Sequence, residues 1–284
     1  MALFAPPLFV LLWATGFVLA RLVAPHAEPF SFLLLRYVVA GAILAGFALA
    51  VGAAWPRDGR EWRDGLVAGA LLHGLYLGGI FWSVGNGLPA GIAALVAGLQ
   101  PLLTGLLVGP LIGERVSALR WTGILVGFAG ALVVIAPRLG VAAGIPPLPL
   151  LAAFLGVVAI TFGTIWQKRT GGGLDLRTNT AVQYAGAALV TLPFVLLLEE
   201  GRIDFVTDVW IGLAWAVFGL SIGAIALLLV LIRRGAVAGV ASLLFLVPPV
   251  SALMAYGLFG ETLTLVQMVG MGIAALGVAL ASRG

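Results

Sequence analysis

Ten runs of about 20 predominantly apolar residues follow one another along this 284-residue chain, each the length a helix needs to cross about 30 Å of hydrocarbon. The spacing predicts an all-α membrane protein of ten transmembrane helices, near residues 4–24, 30–51, 66–84, 89–111, 118–136, 148–167, 179–198, 209–231, 237–259 and 264–282. The connections are short; the longest, Gly52 to Asp64 and Gly171 to Thr178, carry mixed charge or glycine and leave no room for a separate soluble domain. Composition agrees: 9% of residues are charged, against roughly 25% in soluble domains, and the mean hydropathy is +1.18. The first run, Leu3 to Val23, lacks a basic leading segment and is as long as a full span, so it reads as a retained helix and not a cleaved signal.

The second constraint is internal. Residues 1 to 137 reappear 147 positions later without insertion or deletion: Gly16 falls on Gly163, Tyr37 on Tyr184, Pro101 on Pro248, Gly113-Glu114 on Gly260-Glu261 and Gly123 on Gly270. Two halves follow, residues 1–139 and 140–284. Five spans per half is an odd number, so the second half must enter the membrane from the opposite side, giving two inverted five-helix repeats. Such duplication favours a carrier that alternates between two mirror-related conformations.

Orientation comes from the basic residues, which resist translocation. With the N-terminus inside, the inner segments carry Arg57, Arg60, Arg63, Arg115, Arg120, Lys168, Arg169, Arg177, Arg233, Arg234 and Arg283, and the outer ones only Arg21, Arg138 and Arg202. Both termini are therefore expected in the cytoplasm. The sequence pI of about 10.1 does not indicate nucleic acid, because the basic residues form no stripe or arm. With no cysteine there is no disulfide framework and no Cys-based metal site. No metal and no cofactor is expected. The partners expected are the lipid bilayer and a small-molecule substrate, an amino acid; a monomer is compatible with the sequence.

The C-terminal part of each half carries a shared pattern. It reads AALVAGLQPLLTGLLVGPLIGERVSALRWTGILVGFAGALVVI in the first half and ASLLFLVPPVSALMAYGLFGETLTLVQMVGMGIAALGVAL in the second: a mid-helix proline, Gly-Glu at the helix end, then a glycine-rich helix. With the opening LLWATGFVLAR, this resembles the EamA family of the drug/metabolite transporter superfamily, and within it looks most like the YddG-type exporters of aromatic and other neutral amino acids. The resemblance implies spans one to four and six to nine around a central cavity, with spans five and ten as outer supports. It also implies export of small organic metabolites across the inner (plasma) membrane of a bacterial cell.

Ionisable residues inside spans are costly and are the first candidates for function. His73 in span three shares a helical face with Tyr76, Leu77 and Ile80 by spacing; it either lines a cavity or bonds a neighbouring backbone carbonyl. Arg36 in span two either snorkels to the outer surface or attracts a substrate carboxylate. Gln100 and Thr104 make a polar strip at mid-span. Pro101 next to it, and Pro248-Pro249 with Ser251 in the other half, should interrupt their helices and either open backbone groups to substrate or merely kink the packing. Trp82, Trp166 and Tyr184 are close enough to span ends either to anchor at the interface or to stack on a ligand, Trp13 and Trp215 lie deeper, and Thr161 with Thr164 could line the opposite wall. Small-residue ridges such as Gly105-Gly109-Gly113, Gly123-Gly127 and Gly219-Gly223 suit close helix packing.

All eleven carboxylates are placed in loops or at helix ends, leaving no buried acid as a proton relay, so a neutral or zwitterionic substrate fits better than a cationic drug. Glu114 and Glu261 read as helix-end structural residues. The leading reading is a metabolite exporter for aromatic or hydrophobic amino acids. Alternatives are a carrier of a sugar or nucleoside, a polytopic membrane enzyme, for which no HExxH or G-x-S-x-G pattern occurs, and a lipid scramblase. Substrate choice is expected where the halves differ: Arg36 against Gln183, Gln100 against Val247, His73 against Leu220.

Overall fold

The computed structural model describes residues 5–88, 90–139, 146–171, 173–234, 237–259 and 264–283. Among these residues the elements are helical throughout, with one isolated β-bridge between Ala27 and Ile203. In chain order they are α1 (Ala5–Val23), α2 (Pro29–Ala50), α3 (Gly59–Gly85), α4 (Ala90–Ala97), α5 (Gln100–Ile112), α6 (Ala118–Leu139), α7 (Pro147–Thr170), α8 (Leu176–Leu198), α9 (Thr207–Arg234), α10 (Val237–Ser242), α11 (Val247–Phe259) and α12 (Leu265–Arg283). Six of these, α2, α3, α7, α8, α9 and α12, are long and apolar enough to cross a membrane, and the remaining apolar helices are shorter.

Helix starts are fixed by side chains that satisfy the free N–H groups of a first turn. The third helix begins at Gly59, seven residues before the apolar run at 66. Asp58 accepts from the Glu61 N–H at 2.8 Å while the Glu61 carboxylate accepts from the Arg57 N–H at 2.6 Å, a reciprocal cap of the Asp-x-x-Glu kind. Half of the expected Gly52 to Asp64 loop is therefore helix, and Asp64 sits buried in its second turn, held by Arg63 at 2.7 Å. Asp175 opens α8 by accepting from the Arg177 N–H, and the Arg177 guanidinium beside it holds the carboxyl down to about 2. Glu199, in the second half, accepts from the Phe30 and Ser31 N–H groups at 2.8 and 2.7 Å and so caps α2 of the first half.

Gly-Glu at the end of α5 has a related role. Gly113 takes φ +72, a left-handed conformation that favours glycine. Beyond it, the Glu114 carboxylate accepts from the Val237 and Ala238 N–H groups at 3.0 and 3.3 Å, negative charge at the positive end of α10. Its counterpart Glu261 lies outside the described residues.

Two helices widen midway. Ala70–Leu75 in α3 and Trp215–Ala224 in α9 are π-helical, and shifting the first by 147 places it inside the second. Two other paths break. The fourth span divides between α4 and α5, with Pro101 in the first turn of α5, and a 3-10 turn over Leu243–Leu246 separates α10 from α11, which opens on Val247, Pro248 and Pro249.

Helix pairs meet at different distances. α6 and α12 approach backbone to backbone: a Cβ on Gly123 would lie 2.3 Å from Ala281 N, and one on Gly277 would lie 2.1 Å from Gly127 N, so only glycine fits. The other ridges do not work this way. Gly105 faces the Trp121 ring and Gly219 its own Trp215. α3 is pressed equally hard on α8, where a Cβ on Gly69 would lie 1.8 Å from the Gln183 carbonyl oxygen, whereas α9 meets α1 through side chains, with Gly212 against Val23 and Leu19.

Candidate functional site

The centre of the bundle is a buried polar layer contributed by both halves. Tyr37 of α2 donates to the carbonyl of His73 at 2.9 Å, and Tyr184 of α8 donates to the carbonyl of Ser221 at 2.8 Å. Both acceptors lie in the π segments, where the i→i+5 pattern loosens the carbonyl ladder and places residues for function. The two tyrosine rings stack on each other, 5.9 Å between centroids. Flanking them, Arg36 Nε donates to Ser221 Oγ at 2.8 Å, and Gln183, the residue 147 positions after Arg36, meets His73 Nε2 at 3.2 Å through its Oε1. The Gln183 amide then donates to Gln167 Oε1 at 2.8 Å.

Arg36 is the outlier of this layer. It is 3% exposed, so it does not snorkel to the surface, because Ser221 holds it inward. Among the described residues its bond to Ser221 is its only side-chain hydrogen bond, and no ion pair there includes it. It lines an internal cavity of about 40 Å³ together with Trp13, Tyr76, Phe81 and Leu220. Trp13 and Tyr76 stack there at 6.3 Å between centroids and 14° between planes.

A second internal cavity, about 10 Å³, lies on the other side of Trp13 and is lined by Gln100, Thr164 and Leu228 among others. Gln100 Oε1 and Thr104 Oγ1 are buried there or close by in sequence without a hydrogen-bond partner, an unmet demand of the kind buried polar groups rarely show. Trp13 is the wall the two cavities share.

The other candidates separate into those near this centre and those bound elsewhere. Tyr76 faces the cavity, but His73 does not share its face. The π turn between them shifts the register, directing His73 to Gln183 and the Tyr184 ring, 5.0 Å away. Trp215 is 43% exposed, outside both cavities, with its indole N–H on Thr15 Oγ1 at 2.8 Å; the wider turn of α9 points Ala216, Leu220 and Ser221 inward in its place. Thr161 is buried but bonds its own helix at Val157 O, 2.8 Å, and Ser251 Oγ reaches Ala14 O at 3.3 Å, bracing α11 against α1. Pro101, Pro248 and Pro249 are buried at the two breaks.

Sequence reasoning missed Ser221, Gln167 and the part Gln183 plays. The available signal was the 147-residue alignment of Arg36-Tyr37 with Gln183-Tyr184, polar pairs inside spans in both halves. The partner on α9 was hidden, because His73 aligns with Leu220 while its structural counterpart is the next residue.

Comparison with known proteins fits this arrangement. The profile of the EamA-like transporter family matches residues 2–136 and again residues 147–283. The chain belongs to the EamA-like transporter family. It is a multi-pass membrane protein whose relatives are transporters. It is 27% identical over 279 residues, 92% of this chain and 85% of the relative, to the uncharacterized transporter YvbV of Bacillus subtilis. It is 26% identical, over all of this chain and 90% of the relative, to the uncharacterized inner membrane transporter YedA of Escherichia coli K12. The aromatic amino acid exporter YddG of Ancylobacter novellus is 29% identical over 227 residues, 77% of this chain and 73% of its own. A solved crystal structure superposes with a TM-score of 0.80 at 22% identity, covering 99% of this chain and 96% of that one, which bears on the fold alone.

Proposed function

We propose that this EamA-family protein is a secondary transporter that exports small neutral metabolites, aromatic or hydrophobic amino acids first among them, by alternating access. In this reading the chain makes ten spans in two inverted halves, residues 1–139 and 140–284, with both termini in the cytoplasm. The observation that carries it is Arg36: a buried guanidinium without an anionic partner among the described residues, lining a cavity walled by stacked Trp13 and Tyr76. An unpaired buried charge is costly, and a substrate carboxylate would relieve that cost. The apolar side chain of the substrate would lie against Trp13 and Tyr76. Its ammonium would find an acceptor in Gln100 Oε1 once Trp13 moves aside.

Movement is required. The cavities of about 40 and 10 Å³ that the described residues line here are far below the roughly 300–1,000 Å³ of ligand pockets, so substrate entry needs them to widen. The helix breaks at Pro101 and at Pro248-Pro249 are the proposed hinges, with Thr104 and Ser251 one turn beyond them. The YddG relative supports the substrate class, and the absence of a paired acid beside Arg36 among the described residues supports a zwitterion over a cation.

Counterflow into proteoliposomes with a metabolite panel at several pH values tests the proposal. Phenylalanine, methionine or threonine should exchange, and Gln100→Ala should slow that exchange. Exchange of a sugar or nucleoside with none of an amino acid would transfer the site to the alternative substrate class.

A further inference from the structure

A cavity of about 910 Å³ lies away from the polar layer. It is an open cleft on the flank of the bundle between α3 and α7, reaching the ends of α5 and α8, with Gly78, Gly79 and Gly156 in its floor and Leu155 and Phe162 on its wall. Trp82 and Phe194 lie at one end, Trp166 and Arg169 at the other. Arg169 is the single charged residue of the lining. It is exposed and has no ion-pair or hydrogen-bond partner among the described residues.

The cleft is not a product of the repeat. Positions 147 residues away hold larger side chains: Gly78 corresponds to Ile225, Gly156 to Phe9 and Ala159 to Leu12, and Phe9 and Ile225 are buried in a core cluster. The α1–α9 interface fills this space with side chains and the corresponding α3–α7 interface leaves it open. Glycine packing shared by both halves therefore does not account for it.

In a bilayer an open apolar cleft is filled by hydrocarbon, and a basic residue at one end selects for an anionic headgroup, as basic pockets between membrane helices do. We propose that this cleft holds one acyl chain of an anionic phospholipid, with the lipid phosphate on Arg169. In the orientation proposed above, Arg169 lies at the cytoplasmic side, so the lipid comes from the inner leaflet. This inference requires the chain to sit in a bilayer and is independent of the substrate at Arg36.

Native mass spectrometry of the full chain, released from vesicles of equal phosphatidylglycerol and phosphatidylcholine, reads the lipid directly. One phosphatidylglycerol should be retained about fivefold over phosphatidylcholine, the ratio expected for one basic residue near a membrane surface. Arg169→Gln should abolish the preference, and Val158→Trp should remove the retained lipid by filling the cleft. Leu155→Trp, on the exposed rim, replaces Val158→Trp if that variant does not fold. Equal retention of the two lipids by the unmodified chain, a preference that survives Arg169→Gln, or retention unchanged when the cleft is filled would overturn the proposal.

Discussion

At the scale of single residues, the molecule pairs similar positions with different chemistry. Arg36 and Gln183 sit 147 residues apart and both reach a π segment of the other half, but one brings a charge and the other an amide. The tyrosines beside them do the same task twice, each satisfying a carbonyl of a widened turn. Tyr37→Phe and Tyr184→Phe each remove a buried hydrogen bond, so each should destabilise the fold by about 0.5–1.5 kcal/mol, read as a lowered thermal midpoint in detergent. Glu114 acts outside the layer by capping α10. Glu114→Ala should cost about 1–2 kcal/mol in the same assay without changing substrate preference, since no cavity described here includes it. Much of this was legible in the sequence: Arg36, His73, Gln100 and Tyr76 stand out as polar residues in apolar runs, and Gly-Glu reads as a helix end. Their partners were not, because side-chain pairing across halves depends on a register that the π turns change.

At the scale of elements, helix existence followed from apolar length, and helix interruption followed from proline at Pro101 and Pro248. The π segments in α3 and α9 had no comparable signal, since a widened turn is stabilised by tertiary partners such as Tyr37 and Tyr184 and not by a local residue type. That is why His73 and Tyr76 share a face on an ideal helix and part in the structure. It is also why Trp215, placed deep by counting residues, faces outward. The early start of α3 was readable from Asp58 and Glu61, whose polarity instead reads as loop when hydropathy alone is used. Glycine spacing announced ridges without saying which ones touch. Gly277→Ala should force α12 away from α6 and lower the thermal midpoint, an overpacking cost of about 1–3 kcal/mol. Gly272→Ala, with open space around its position, should leave the midpoint unchanged or raise it.

At the scale of the whole molecule, the two halves are not used alike. α3 is locked to α8 by backbone approach at Gly69, while α9 meets α1 and α2 through side chains, with the Trp215–Thr15 and Arg36–Ser221 bonds among the contacts. In the proposed transport cycle, motion of α9, which lines the cavity at Arg36 through Leu220 and Ala224, would open it. The proposed inverted arrangement carries its own test. The chain has no cysteine, so single cysteines can be placed directly: those at Arg57, Arg115 and Arg177 should resist a membrane-impermeant maleimide added to intact cells, and those at Gly87 and Gly201 should react. Labelling of both groups alike would remove the topology on which the exporter reading rests.

The binding role of Arg36 is decided most directly by phenylalanine counterflow in proteoliposomes, comparing the unmodified chain with Arg36→Gln at matched amounts of folded protein. The unmodified chain should accumulate labelled phenylalanine against an unlabelled internal pool, and Arg36→Gln should reduce the initial rate at least about tenfold, the loss of about 1.4 kcal/mol of carboxylate binding. Equal rates in the two proteins, or no counterflow by the unmodified chain, would contradict a carboxylate-binding carrier centred on Arg36.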